Sequence, residues 1–107
     1  MSALAVYEGP RGAVVEVFDE SAPYAYANIF HVKLRVVARF EGLEAPFERT
    51  LERLGVHEAD LKSVKAELVG HFEAASLPYL LHPDFPSRFA EHRRREERKV
   101  IRFPGAA

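Results

Sequence analysis

The sequence predicts an α+β domain: an antiparallel sheet of three to four strands, with about three helices packed on one face. Three observations predict it. Residues 29–40 alternate in polarity, two short β-branched runs joined by a proline–glycine turn precede them, and the apolar spacing after them changes to three and four residues.

The first strand pair is read from residues 4–8 and 13–18. Between them, Gly9-Pro10-Arg11-Gly12 places proline at turn position i+1 and glycine at i+3, so a hairpin closed by a four-residue type I turn is expected. Residues 19–28 break the pattern with the turn formers Asp19, Ser21 and Pro23, and read as a connection. Tyr24 and Tyr26 are expected on the sheet edge, with rings covered and hydroxyls wet.

In 29–40, Phe30, Val32, Leu34, Val36, Ala38 and Phe40 take every second position, with His31, Lys33, Arg35 and Arg39 between them and Val37 as the apolar exception. Strand side chains alternate faces, so one face is buried and the other is wet and basic. At roughly 3.3 Å per residue this strand is about 40 Å long, twice the common length. It must coil, pair with different strands along its length, or pair with a second chain; a homodimer through the sheet is therefore one expectation. Gly42 ends it.

Phe47, Leu51 and Leu54 are then spaced four and three apart, Pro46 suits a first turn, and Gly55 followed by Val56 suits a C-cap, so a helix over about 44–54 is expected. A second helix, over about 58–75, carries the stripe Leu61, Val64, Leu68 and Phe72, which should meet the apolar face of the long strand. Leu77-Pro78 stops it. Residues 77–86 are too apolar for a free linker and read as a packed loop. A third helix follows over about 86–99, anchored by Phe85 and Phe89. Residues 100–103 read as a short C-terminal strand, and 104–107 as a frayed tail. The whole chain, 1–107, is one domain by size.

With 48% hydrophobic and 29% charged residues, the composition is that of a soluble globule and not of a disordered segment. The chain has no cysteine, which excludes a disulfide framework, thiol catalysis and cysteine-ligated metals, and suits a reducing compartment. Residues 1–8 carry no secretory pattern, and no run approaches the roughly 20 apolar residues of a membrane span. A cytoplasmic protein with no membrane contact is expected.

A search for chemistry gives little. Of the five histidines, His57 and His71 lie about 21 Å apart on one helix. Glu67 with His71 supplies two ligands where zinc wants three or four. A pocket near His71, His82 and Tyr79 is the one candidate for a small ligand or an enzyme site. Glu48 and Glu52 stand beside Arg49 and Arg53, as on a solvated face. No serine has a Gly-x-Ser-x-Gly setting, and the 9–12 turn lacks the Gly-Lys-Ser/Thr end of a phosphate loop. A helix-turn-helix at 51–60 would carry bulky Leu51 in its turn and present Glu58 and Asp60 to phosphates. No catalytic residue, cofactor or metal site is expected.

Charge is the remaining signal. Net charge is −1, but residues 1–87 hold eight Lys/Arg against thirteen Asp/Glu, while 88–107 hold seven against three. The plainer reading is a basic helix lying on the acidic body of its own chain. The sharper one joins Lys33, Arg35 and Arg39 of the strand to Arg93, Arg94, Arg95 and Arg98 of the helix, as a groove for nucleic acid or another polyanion. Glu16 on the neighbouring strand and the Glu91–Arg95 and Arg93–Glu97 spacings argue for internal pairing instead. The expected function is that of a small non-enzymatic interaction or accessory domain, whose open strand edges invite a protein partner or a second copy.

Overall fold

The computed structural model describes residues 3–102, with side chains described for 3–25 and 28–95. It is an α+β fold: one antiparallel sheet of five strands, β1 (Ala5–Glu8), β2 (Val14–Asp19), β3 (Ala22–Tyr24), β4 (Tyr26–Arg39) and β5 (Phe47–His57), followed by the helices α1 (Leu61–Ala75), α2 (Leu77–Leu80) and α3 (Phe85–Arg102). No described helix is long and apolar enough to cross a membrane.

β4 is the spine. β1 pairs with β2, and β2 and β3 both pair with one edge of β4 while β5 takes the other. The long strand is therefore covered within its own chain, by different strands along its length. β3 continues the β2 register: Asp19 lies opposite Leu34, and Ala22 opposite His31. Between them the ladder is kept by Glu20 N–H donating to the Lys33 carbonyl at 2.8 Å and Lys33 N–H donating to Ser21 Oγ at 3.0 Å. A side-chain hydroxyl thus stands in for a backbone carbonyl, which is why 19–28 reads as a connection yet contributes a strand. Pro23 is tolerated because this is an edge.

The β1–β2 hairpin is present, but its turn is not type I. Arg11 and Gly12 both have positive φ, 58° and 74°, as the mirror-image hairpin turns require.

The even positions of β4 build the core. Val32, Leu34, Val36 and Ala38 are fully buried, together with Val15 and Val17 of β2, beneath Phe72 of α1 and Leu80 of α2. Leu61, Val64 and Leu68 pack on the same cluster, so the helical stripe meets the strand face as expected. All three helices contribute to this one side, α3 through Phe85 and Phe89. These two rings stack on each other and pack against Phe40 and Phe47, with centroids 5.3–6.4 Å apart.

Two expected elements are corrected. The helix expected over 44–54 is the strand β5. Its spacing of four, from Phe47 to Leu51, is also two strand repeats, and both side chains face the core. Gly55, expected as a helix cap, has φ 76° and sits in a β-bulge: from Phe30 to Val32 β4 advances two residues while β5 advances three, from Val56 to Arg53. Both motifs need a left-handed residue, so one glycine satisfies either. The expected C-terminal strand is not formed over residues 100–102, which continue α3; an Arg/Glu-rich run propagates helix well. Phe103 and the expected tail 104–107 lie outside the described residues. The expected loop 77–86 contains the short helix α2, with Pro78 in its first turn.

Candidate functional site

The face of the sheet turned away from the helices holds the basic row of β4. Its register puts a glutamate beside each strand cation. Arg39 reaches Glu16 at 3.4 Å, and Arg35 lies between Glu20 and Glu48, both at 3.0 Å. Hydrogen bonds to these two carboxylates hold the Arg35 guanidinium above its ordinary pKa. Arg35 also covers the Phe18 ring, 5.3 Å from its centroid. Lys33 lies opposite Glu52, and His31 Nε2 is 2.9 Å from the same carboxylate. Val37, the odd residue of the pattern, is buried on this face between Glu16 and Glu48, under the stems of its neighbours. Arg35 and Arg39 are thus ion-paired across the strands, and Lys33 has a glutamate opposite it.

The helix cations are placed differently. Phe85 and Phe89 hold the start of α3 on the core side, and residues 91–95 are then all exposed. At about 100° per residue, five successive positions sweep more than a full turn, so solvent reaches every side of the helix there. Arg93 lies over the Phe89 ring at 5.9 Å, and Arg95 donates to Glu91 at 2.9 Å. Arg93 and Arg94 border a surface groove formed with the β4–β5 turn at Gly42 and Glu44. The side chain of Arg98 lies outside the described residues. Lys33, Arg35 and Arg39 thus occupy the sheet face opposite the one on which α3 is anchored, and the structure does not bring the two sets onto one surface.

Two of the histidines cap local turns. His57 Nδ1 accepts from the Ala59 N–H at 3.1 Å, capping the turn before α1, and His82 Nδ1 accepts from the Asp84 N–H at 3.1 Å. Glu67 pairs with Arg53 at 3.5 Å. His71 is exposed on α1. Among the described residues, no three His, Asp or Glu side chains converge as metal ligands.

His71, His82 and Tyr79 do not share a pocket. His82 borders one small cavity, with Arg11, Glu41 and Ser87. Tyr79 borders another, of about 190 Å³, between β5 and the α1–α2 junction. Its walls are Phe47, Phe72, Tyr79 and Phe85, and its polar rim is Arg49, whose Nη1 donates to Ser76 Oγ at 2.8 Å. Sequence reasoning missed this pair, because Arg49 was placed on a solvated helix. Its position follows only once β5 is a strand whose odd residues face α1.

No protein-family model matches the chain, and neither the curated proteins nor the solved structures give a match to it.

Proposed function

We propose that this is a cytoplasmic, non-enzymatic interaction domain whose contact element is the basic part of α3. The observation that carries the reading is the exposure of every residue from 91 to 95, on all sides of the helix. An exposed helical segment draws little support from tertiary packing. A partner surface adds packing to side chains that solvent reaches on every side. The excess of arginine makes that partner acidic, and we favour an acidic protein surface.

Self-pairing through the sheet is the weaker version of this reading. β4 has both edges filled, which leaves β5 as the long free edge. Two β5 strands paired symmetrically about any residue from 49 to 52 would face Arg49 with Arg49, Glu48 with Glu52, Arg49 with Arg53, or Glu52 with Glu52. Like charges directly opposite are destabilising, and charge on an edge discourages such pairing.

A polyanion is the second reading. Arg93, Arg94 and Arg95 are exposed at successive positions of the helix, which suits contact with phosphates. Since Arg35 and Arg39 are paired with glutamates and the strand cations lie on the other face, the arm alone would make the contact. The test is titration of the full chain at low salt against a labelled glutamate-rich peptide and against mixed-sequence DNA and RNA, with light scattering for self-association. Arg93→Glu with Arg94→Glu should abolish the binding seen while the chain stays folded, with only a small drop in melting temperature from the lost Arg93–Phe89 contact, and Lys33→Glu should leave the binding unchanged. A monomer that binds none of the three probes overturns the reading.

A further inference from the structure

We propose that the cavity between β5 and the α1–α2 junction binds a small apolar monocarboxylate, with the ring or branched alkyl group inside and the carboxylate on Arg49. This site is separate from the α3 arm and stands or falls without it.

The first ground is the charge partner that Arg49 lacks. Arg35, Arg39 and Arg53, the other arginines of β4 and β5, each have a carboxylate within 4 Å. Arg49 has none among the described residues, and its hydrogen bond goes to the neutral Ser76 hydroxyl. That bond uses one N–H of five, so the guanidinium is held in place with a fork of donors left for a planar, bidentate anion. The strand and the helix junction position both groups: Arg49 faces inward on β5 opposite Val36, and Ser76 follows the last residue of α1.

The second ground is the space beside it. The cavity measures about 190 Å³, and Phe72 at its base is fully buried. An apolar protein cavity of roughly 150 Å³ holds benzene, so one ring with a short acid arm fits here. Tyr79 is 71% exposed at the rim, a large ring with little of its own chain to cover it. Apolar walls with one or two placed polar groups are the usual make-up of a small-ligand site.

Phenylacetate is the probe, and phenylacetamide its neutral counterpart. Titrated into the isotopically labelled full chain, phenylacetate should shift the resonances of Phe47, Ser76, Tyr79 and Phe85 with a dissociation constant of about 1 mM, the range of a ligand this small. The amide should bind at least about tenfold more weakly, since a hydrogen bond to a charged group is lost. Arg49→Gln should bring the acid down to the amide's affinity, and Ala75→Leu, at an exposed position on the cavity wall, should block both. Both variants alter exposed side chains, so their spectra should otherwise match the parent. The proposal is overturned if phenylacetate at about 10 mM shifts nothing at the cavity, if acid and amide bind equally, or if Arg49→Gln leaves the affinity of the acid unchanged.

Discussion

β4 and β5 lie side by side from the Ile29–His57 pair, across the bulge, to the Ala38–Phe47 pair, yet they carry different kinds of sequence. β4 has a strand on each side and helices over its whole inward row, so that row is apolar from Phe30 to Ala38. β5 has one neighbour. Its inward row reads Phe47, Arg49, Leu51, Arg53, and the two arginines reach the margin of the helix layer, at Ser76 and Glu67. An inward position at the rim of a layer is open to a long side chain that buries its stem and wets its head. The other inward margin behaves alike: Asp19, at the end of β2, meets Lys65 of α1 at 2.7 Å. Strand alternation is thus a property of the middle of the sheet, and α1 is held at its two borders by charge.

The sharpest test of this contrast is truncation at the two inward leucines, one per strand. Leu34 is fully buried, so Leu34→Ala should cost about 2–5 kcal/mol in urea unfolding. Leu51 is only partly buried, and Leu51→Ala should cost about 1–2 kcal/mol. Equal losses would show that β5 is as deeply set as β4 and would break the comparison.

The bulge gives the next effect. Gly55 holds φ 76°, where an L-residue is strained, so Gly55→Ala should lose about 1–2 kcal/mol and Gly55→Asn less. If Gly55→Ala kept its melting temperature, the left-handed bulge would not be what sets the β5 register.

These same features decide what was legible in the sequence. The hairpin, the long strand and the stripe Leu61, Val64, Leu68, Phe72 were readable, because each buries one face of a regular element. β5 was not, because its arginines erase the period of two and its glycine suits a helix cap as well as a bulge. β3 was hidden because Ser21 completes the ladder with a side chain, which no periodicity records. The cavity at Arg49 was out of reach for a compound reason: it needs β5 as a strand, α2 as a helix and the turn between α1 and α2 to meet in space. The α3 cations were legible as a charge run. The exposure of residues 91–95 on every side of α3 was not, since exposed and covered helices share the same i, i+4 pairs.

On the opposite edge of β4, Ser21→Ala should cost about 1 kcal/mol, because the Lys33 N–H then loses its acceptor in a partly buried ladder. Ser21→Thr, which keeps the hydroxyl, should recover most of that loss. A neutral Ser21→Ala would mean that the β2–β3 edge is held by its flanking strands alone.

The smallest effect expected is at the Asp19–Lys65 border, and it is read through pH. Burial pushes the Asp19 carboxyl up, but hydrogen bonds from Lys65 and from the Ser21 side chain and N–H, with the Lys65 charge, outweigh it and hold the group below its ordinary 3.8. A carboxylate whose pKa is lower folded than unfolded contributes stability that is complete above the unfolded value and is lost as pH falls through the folded one. At neutral pH, Asp19→Asn should therefore cost up to about 1 kcal/mol, the scale of a partly exposed pair. Its urea midpoint should fall less steeply with acid than that of the parent, and the two curves should converge once Asp19 is protonated in both states. Lys65→Met should flatten the acid slope in the same way, since it removes the cation that lowers the carboxyl. Parallel curves from neutral pH into acid would show that the charge at this border does not hold α1 to the sheet, and would leave the contrast between the sheet's middle and its margins resting on β5 alone.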